Sequence, residues 1–358
     1  MAGYGSDASG NAIIAANGVN QVKVDTSGNL TLLNGVLMAP QGISMPTAFA
    51  YRNRAINGSL VVQQRSSVAA VAGGGNQYGG PDRFFAALSS TATGGFTQSA
   101  STIAVGSVAF PCVKQTVTTI STSFGSTNLW YGISHPFEGY NVYDLVGKPF
   151  SISFWFYTNV TGNFSVSVTD ATAAYSFLSQ FAAVAGTPTY VTILVPASAL
   201  LTIPVTSATG LTVEIGALQA GTFASSTLNV WQAGNYRAVG SNTNWAATVG
   251  NFISAGQFQL EMGTVTTPFE MQRYSDILLQ CQRYYEIGQL GISYMNSVSS
   301  PAAHGSMPFM VRKRAAPTNT YSGWQYYSGS TPASFTPADY APNTTCIQWL
   351  GNGLTGWN

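Results

Sequence analysis

The sequence predicts an all-β protein built around an antiparallel sandwich, and three observations carry that expectation. Apolar and polar residues alternate with a period of two: Phe150, Ile152, Phe154 and Phe156 against Ser151, Ser153, Trp155 and Tyr157, then Phe164, Val166 and Val168 against Ser165, Ser167 and Thr169. That period puts one face of a strand in a core and the other outside it. Two further apolar runs, Thr189 to Val195 and Leu211 to Leu218, lie between Gly- and Pro-containing breaks. No long helical pattern interrupts the series before Ser275, so strands packed in two layers are the architecture that buries them.

The elements follow in order. Residues 1–51 read as a small β-rich anchor, with turn dipeptides at Asn17-Gly18 and Asn34-Gly35. In it Val22 and Val24 alternate with Lys23 and Asp25 before residues 26–29 turn the chain into Leu30–Leu33. Ile13, Ile14, Val22, Val24, Leu30, Leu32 and Leu33 are too apolar for a disordered tail, yet fifty residues bury little surface alone. The segment is therefore expected to order against sister chains or a particle. Residues 52–274 hold the sandwich. In its last strand Phe258, Leu260 and Met262 alternate with Gln257, Gln259 and Glu261, which predicts one buried face and one wet face, and Pro268 ends the pairing. A helix over 275–288 follows, capped by Ser275, with Asp276 in its first turn, Ile277, Cys281, Tyr284 and Tyr285 on one face, and Gly288 closing it. Residues 289–358 turn Tyr-, Trp-, Pro- and Ser-rich and read as short strands and loops, either extending the sandwich or forming a tip domain.

Four ordered motifs add a family resemblance. They are Asn57-Gly58 leading to Gln64-Arg65; Tyr78 followed by Asp82-Arg83; Leu145, Gly147-Lys148 and Ser153-Phe154-Trp155; and Gln259-Leu260-Glu261, Thr267-Pro268-Phe269-Glu270 and Cys281-Gln282-Arg283-Tyr284-Tyr285-Glu286. In this order they resemble a jelly-roll, carbohydrate-binding-module-like domain of bacteriophage and prophage tail-fibre proteins. The likeness covers roughly residues 52–286, with Phe84 where the family carries Trp. It implies a virion structural protein of a tail fibre or similar appendage, a parallel homotrimer with other tail proteins as partners, and contact with host-surface polysaccharide. A virion location after assembly in a bacterial cytoplasm would follow, and a purely structural connector or a polysaccharide depolymerase are the alternatives.

Composition agrees with this and excludes other classes. Only 7% of residues are charged, against about 25% in ordinary soluble proteins, so neutral hydroxyls and amides must provide solubility. Thirteen basic and twelve acidic residues give a net charge of +1, which supplies no field for nucleic acid, and Arg312-Lys313-Arg314 is too short a cluster to supply one. Three cysteines, Cys112, Cys281 and Cys346, are odd in number and widely spaced, which argues against a disulfide framework and a zinc site. Cys281 is expected to be a small buried hydrophobe on the helix. No signal-peptide pattern opens the chain and no apolar run approaches the roughly 20 residues of a membrane span.

Catalytic groups are scarce, and no enzyme activity, metal or cofactor is expected. His135 and His304 lie without partner motifs and read as solvated loop residues. Asp82 and Arg83 read as a half-buried pair pinned through Glu261 or Glu270. Sugar recognition needs flat rings beside amides or hydroxyls. Trp130-Tyr131 near Asn128 and Trp324 with Tyr326 and Tyr327 have that pattern. The stretch from Asn229 to Trp245 is the preferred site, with Trp231, Asn235, Tyr236, Asn242 and Trp245 as the glycan-binding candidates, because its Gly-Asn and Gly-Ser-Asn steps predict exposure.

Overall fold

The alternating segments become the strands of two antiparallel sheets in a computed structural model. It describes residues 2–6, 12–16, 19–24, 30–32, 51–70, 76–89, 94–121, 129–219, 221–288, 302–320, 325–328, 331–334, 338–339 and 343–352. The turns expected at Asn17-Gly18, at 26–29 and at Asn34-Gly35, and the residues Asn128 and Trp324, lie outside them. The chain divides into two units, Met1–Ala50 and Tyr51–Asn358. The first holds four strands in consecutive order, β1 (Ala2–Ser6), β2 (Ala12–Ala16), β3 (Val19–Val24) and β4 (Leu30–Leu32), all antiparallel.

The second unit is an all-β jelly-roll sandwich. Its strands begin with β5 (Val68–Ala70), β6 (Gln77–Tyr78), β7 (Phe85–Ala86), β8 (Gly95–Val105), β9 (Val108–Thr119), β10 (Leu129–Trp130) and β11 (Ile133–Glu138). After a short helix α1 (Gly139–Val142) come β12 (Phe150–Thr158), β13 (Gly162–Asp170), β14 (Tyr175–Ala183), β15 (Thr189–Val195) and β16 (Thr209–Ile215). Then follow β17 (Leu218–Gln219), β18 (Ala224–Ser225), β19 (Trp231–Ala233), β20 (Ala238–Val239) and β21 (Phe252–Met262). One sheet runs β19-β14-β13-β16-β11-β7-β6 and the other β15-β12-β21-β9-β8-β5. Neighbours distant in sequence, such as β12 beside β21 and β11 beside β16, are what let two sheets close over one core.

That core is aromatic. Phe84, Phe96, Trp130, Phe150, Phe154, Phe156, Phe164, Phe177, Trp245 and Phe258 are all under 2% exposed. Trp130 and Trp245 meet edge to face, with centroids 5.5 Å apart and planes at 79°. His135 belongs to this core and not to a solvated loop. It sits in β11, 2% exposed, with its ring 4.9 Å from Phe84, 4.6 Å from Phe137 and 5.6 Å from Phe258. Phe137 is its neighbour two residues along the same strand, while packing of distant segments brings Phe84 and Phe258 to it.

The faces expected to be wet are largely covered. Ser165, Ser167, Thr169 and Ser176 on the outside of the seven-stranded sheet are each at most 2% exposed, and residues 234–242 reach across Ser176 and Ser165. Buried hydroxyls need partners. Ser176 Oγ donates to the Gly234 carbonyl at 2.9 Å, and Asn242 Nδ2 donates to Ser165 Oγ at 2.7 Å. On β21, Gln259 and Glu261 are buried as well, because the chain beyond Met262 folds back on them. Thr267 donates to Glu261 from its backbone N at 2.7 Å and from its hydroxyl at 2.7 Å, and the Glu270 N–H donates to Gln259 Oε1 at 2.8 Å. Glu270 in turn accepts from the N–H groups of Tyr51 and Asn53, which ties the start of the domain to its end.

The helix is shorter than expected. Helix α2 covers Tyr274–Gln282 and starts after Arg273, which is extended (φ −68°, ψ 140°), with no side-chain cap. Ser275 is already inside it and its hydroxyl turns to Asp276 instead. Tyr284 and Tyr285 come after the last turn, their N–H groups both donating to the Cys281 carbonyl. Beyond it lie β22 (Ala302–Pro308), β23 (Gln325–Ser328), β24 (Thr331–Ser334), β25 (Ala338–Asp339) and β26 (Cys346–Asn352). His304 is in β22, paired with Leu350 of β26, and so is strand and not loop.

Candidate functional site

Three of the four motifs meet at one end of the sandwich. Asn57, fully buried and in the left-handed region at φ 60°, donates from Nδ2 to the carbonyls of Val62 and Asp82 and accepts at Oδ1 from the Val62 N–H. Beside it Gly58 has to be glycine, since a Cβ there would lie 2.2 Å from the Phe258 carbonyl oxygen. The chain so held delivers Gln64 to Asp82: its N–H reaches Oδ1 at 3.2 Å and its Nε2 reaches Oδ2 at 2.6 Å and the Tyr285 carbonyl at 2.9 Å. One amide thereby links the first motif, the second and the end of α2.

The cations here stack on rings. The Arg65 guanidinium lies 3.6 Å from the centroid of Tyr285, and that of Arg83 lies 3.5 Å from Tyr284, the short range in which the ring quadrupole attracts a cation. Arg65 also stands 3.8 Å from Asp82 and Arg83 donates to the Pro136 carbonyl, so the Asp82-Arg83 pair is held by Gln64, Arg65 and Pro136 and not through Glu261 or Glu270, which serve Thr267, Tyr51 and Asn53. The correction has a local cause: residues 62–66 return alongside 79–82, as the Asp82 N–H bond to the Val62 carbonyl shows. Burial pushes the Asp82 carboxyl above its ordinary value against the opposing bonds from Gln64 and charge of Arg65. Arg283 clasps Glu138 with both edges, Nε to Oε1 at 3.1 Å and Nη2 to Oε2 at 3.2 Å, while Lys313 pairs with Glu286 and donates to the Gln282 carbonyl.

Between these groups opens a cleft of about 1200 Å³. Its walls come from Arg65, Tyr78, Asp82 and Arg83, from Pro136, Phe137 and Glu138 at the end of β11, from residues 281–288, and from the segment through Met307, Phe309, Lys313 and Arg314. Burial pushes the Tyr284 phenol well above its usual value, so it stays neutral. It pushes the Cys281 thiol up to about 12, so that sulfur is no nucleophile near neutral pH. The chemistry offered is therefore hydrogen bonding, ring contact and charge.

None of the five residues expected to bind glycan lines this cleft. Trp245 is a correction: it is 0% exposed, its Nε1 donates to the Gly216 carbonyl at 2.9 Å, and both ring faces are in the core. A tryptophan after Asn in a turn-rich stretch reads as exposed only while the covering sheets are unseen. Trp231 is half-buried against Phe177, with its Nε1 given to the Pro196 carbonyl. Asn235 accepts from Arg237 Nε at 2.9 Å, and Arg237 in turn pairs with the buried Glu214 at 2.6 Å. Tyr236 lies over Gly234, and Asn242 gives its amide to Ser165 and to the Ala217 carbonyl. Sequence reasoning missed the cleft because it weighed each motif alone; the signal available was that Gln64-Arg65, Asp82-Arg83 and Arg283-Tyr284-Tyr285 concentrate charges in a chain that has 25 charged residues in 358.

No family model matches the sequence, and no curated protein does. Among solved structures the chain is similar in part to the enzymatically active domain of tailspike protein 4 of bacteriophage CBA120, at 10% identity and a TM-score of 0.29 over 60% of this chain and 22% of that one. It is also similar to a CBM4 module, at 11% identity and TM-score 0.27 over 58% of this chain and 98% of the module. A third is the CBM22-1 xylan-binding domain of Paenibacillus barcinonensis, at 9% identity and TM-score 0.27 over 49% of this chain and 86% of that one. The chain thus spans about a fifth of the tailspike domain it matches.

Proposed function

We propose that this chain is a virion appendage protein, a tail-fibre subunit or its equivalent, whose sandwich holds a host-surface glycan without cleaving it. One observation carries the reading: the cleft of about 1200 Å³ sets Tyr78, Tyr284, Tyr285 and Phe309 beside guanidinium, ammonium and carboxylate groups. Sugars present apolar faces and polar edges, and this lining answers both. Sites for small ligands run to about 300–1,000 Å³, so there is room here for more than one sugar unit. The four-motif resemblance to tail-fibre domains supports the particle setting, and the apolar β1–β4 segment supports assembly as a homotrimer. Labelled full-length protein applied to a panel of bacterial surface polysaccharides is expected to bind at least one, with binding weakened at least tenfold by Tyr285→Ala in a protein that keeps its circular dichroism. Absence of binding across the panel, with particle contacts retained, would instead favour a structural connector, and release of reducing ends would reveal a depolymerase.

A further inference from the structure

The charges around the cleft do not balance. Eight charged residues line it: Arg65, Arg83, Arg283, Lys313 and Arg314 against Asp82, Glu138 and Glu286. Each acid already has a cation: Asp82 has Arg65, Glu138 has Arg283, and Glu286 has Lys313. Among the described residues Arg83 and Arg314 form no ion pair. Arg314 is exposed, with Nη1 donating to the Ser207 carbonyl at 3.2 Å, and water can serve the rest of it.

Arg83 has no such outlet. It is 5% exposed, donates from Nη2 to the Pro136 carbonyl at 2.6 Å, stacks on Tyr284, and leaves its buried Nε without a partner. A buried charge needs a counter-charge, because taking an ion out of water costs more than stacking and one neutral acceptor return. Its backbone is also held at φ 77°, an uncommon conformation for a residue with a Cβ, of the kind found where the surroundings fix a side chain for a task. The planar fork of a guanidinium matches carboxylate and phosphate oxygens, which accept two parallel hydrogen bonds from it.

Building on the glycan reading, we infer that the cleft selects an anionic saccharide, with Arg83 as the anchor for a carboxylate or phosphate group and Arg314 at the rim drawing it in. The two sources share one chemistry and differ in what removes them. Full-length protein would be titrated against bacterial polysaccharides presented native, carboxyl-reduced and dephosphorylated. The expected result is binding to acidic polymers that falls at least tenfold when the carboxylates are reduced or the phosphates removed, the effective treatment naming the group. Arg83→Gln is expected to abolish that preference. Because Arg83→Gln also removes a buried stack on Tyr284 and a bond to Pro136, Arg314→Gln at the exposed rim is the second variant, expected to weaken acidic binding severalfold and flatten its salt dependence. Equal binding to native and reduced polymers would overturn the anionic assignment and leave the glycan reading standing. No binding to any polymer would overturn both.

Discussion

Protonation of His135 gives the sandwich a defined acid sensitivity. Its Nε2 faces the Ile56 carbonyl at 3.0 Å, a contact only a protonated nitrogen can make, and its Nδ1 is buried with no partner. Burial first, and then the charge of Arg83, pull its value from 6.5 to about 3. Between those limits the unfolded chain carries a proton on this imidazole and the folded chain does not. Stability is therefore fully present above pH 6.5 and is lost by about 1.4 kcal/mol per unit as pH falls toward 3. From pH 7.5 to 4.5 the proton costs about 3 kcal/mol, since two units of that range lie below 6.5. Glu214 works in the opposite sense: burial raises its folded value, so its contribution is present at low pH and lost as pH rises through that value. A comparison of the native sequence with His135→Gln cancels Glu214 and every other shared group. Urea unfolding followed by tryptophan fluorescence should show the variant gaining about 3 kcal/mol on the native chain between pH 7.5 and 4.5, whatever the constant offset at neutral pH. Parallel pH dependences would refute the argument, because a histidine that is neutral only by burial cannot be silent in that window.

Two further outcomes test the corrected roles of other segments. Trp245→Ala should lower stability by about 3–5 kcal/mol, the range for emptying a large buried aromatic position, while Trp231→Ala, half-buried at the end of its sheet, should cost less. Equal small losses on chemical denaturation would show that Trp245 is not the core residue described. Removal of Met1–Ala50 should leave Tyr51–Asn358 with its strand content and unfolding transition intact and weaken self-association in light scattering, and a full-length chain that is monomeric at micromolar concentration would sink that expectation.

How far the sequence could be read depended on the distance over which each signal acts. Strand β15 falls on the predicted residues Thr189–Val195, and β12 follows the Phe/Ser alternation, because a pleated strand writes its period into adjacent residues. The same logic failed for Gln259 and Glu261, whose polarity reads as solvent although their partners Thr267 and Glu270 are only a turn away. It failed again for the end of α2: Tyr284 and Tyr285 continue the apolar spacing of Ile277 and Cys281, yet they leave the helix to receive Arg83 and Arg65. Both misreadings share a cause. Polar and aromatic side chains satisfied by distant segments look, one at a time, like exposed polar residues or helix-face hydrophobes.

The cleft shows why that cause bears on function. Exposed ion pairs contribute about 0–1 kcal/mol, and buried ones often stabilise no more than apolar residues of the same size. Arg283 with Glu138 is partly exposed on the arginine side, and Arg65 approaches Asp82 only to 3.8 Å, so neither pair is a strong source of stability. Stability alone would favour fewer charges here, in keeping with a chain that has 25 charged residues in 358. Yet eight of them line one cleft, and Gln64 joins two of the motif segments that supply them. The lock between segments explains Asn57, Gly58 and Gln64. It does not explain Arg83, whose burial without a carboxylate in hydrogen-bond contact costs the folded state and is offset by a ring, one carbonyl and the more distant charge of Asp82. An anion brought by a ligand supplies the missing partner, which makes the residue least favourable to the isolated fold the one with most to gain from binding.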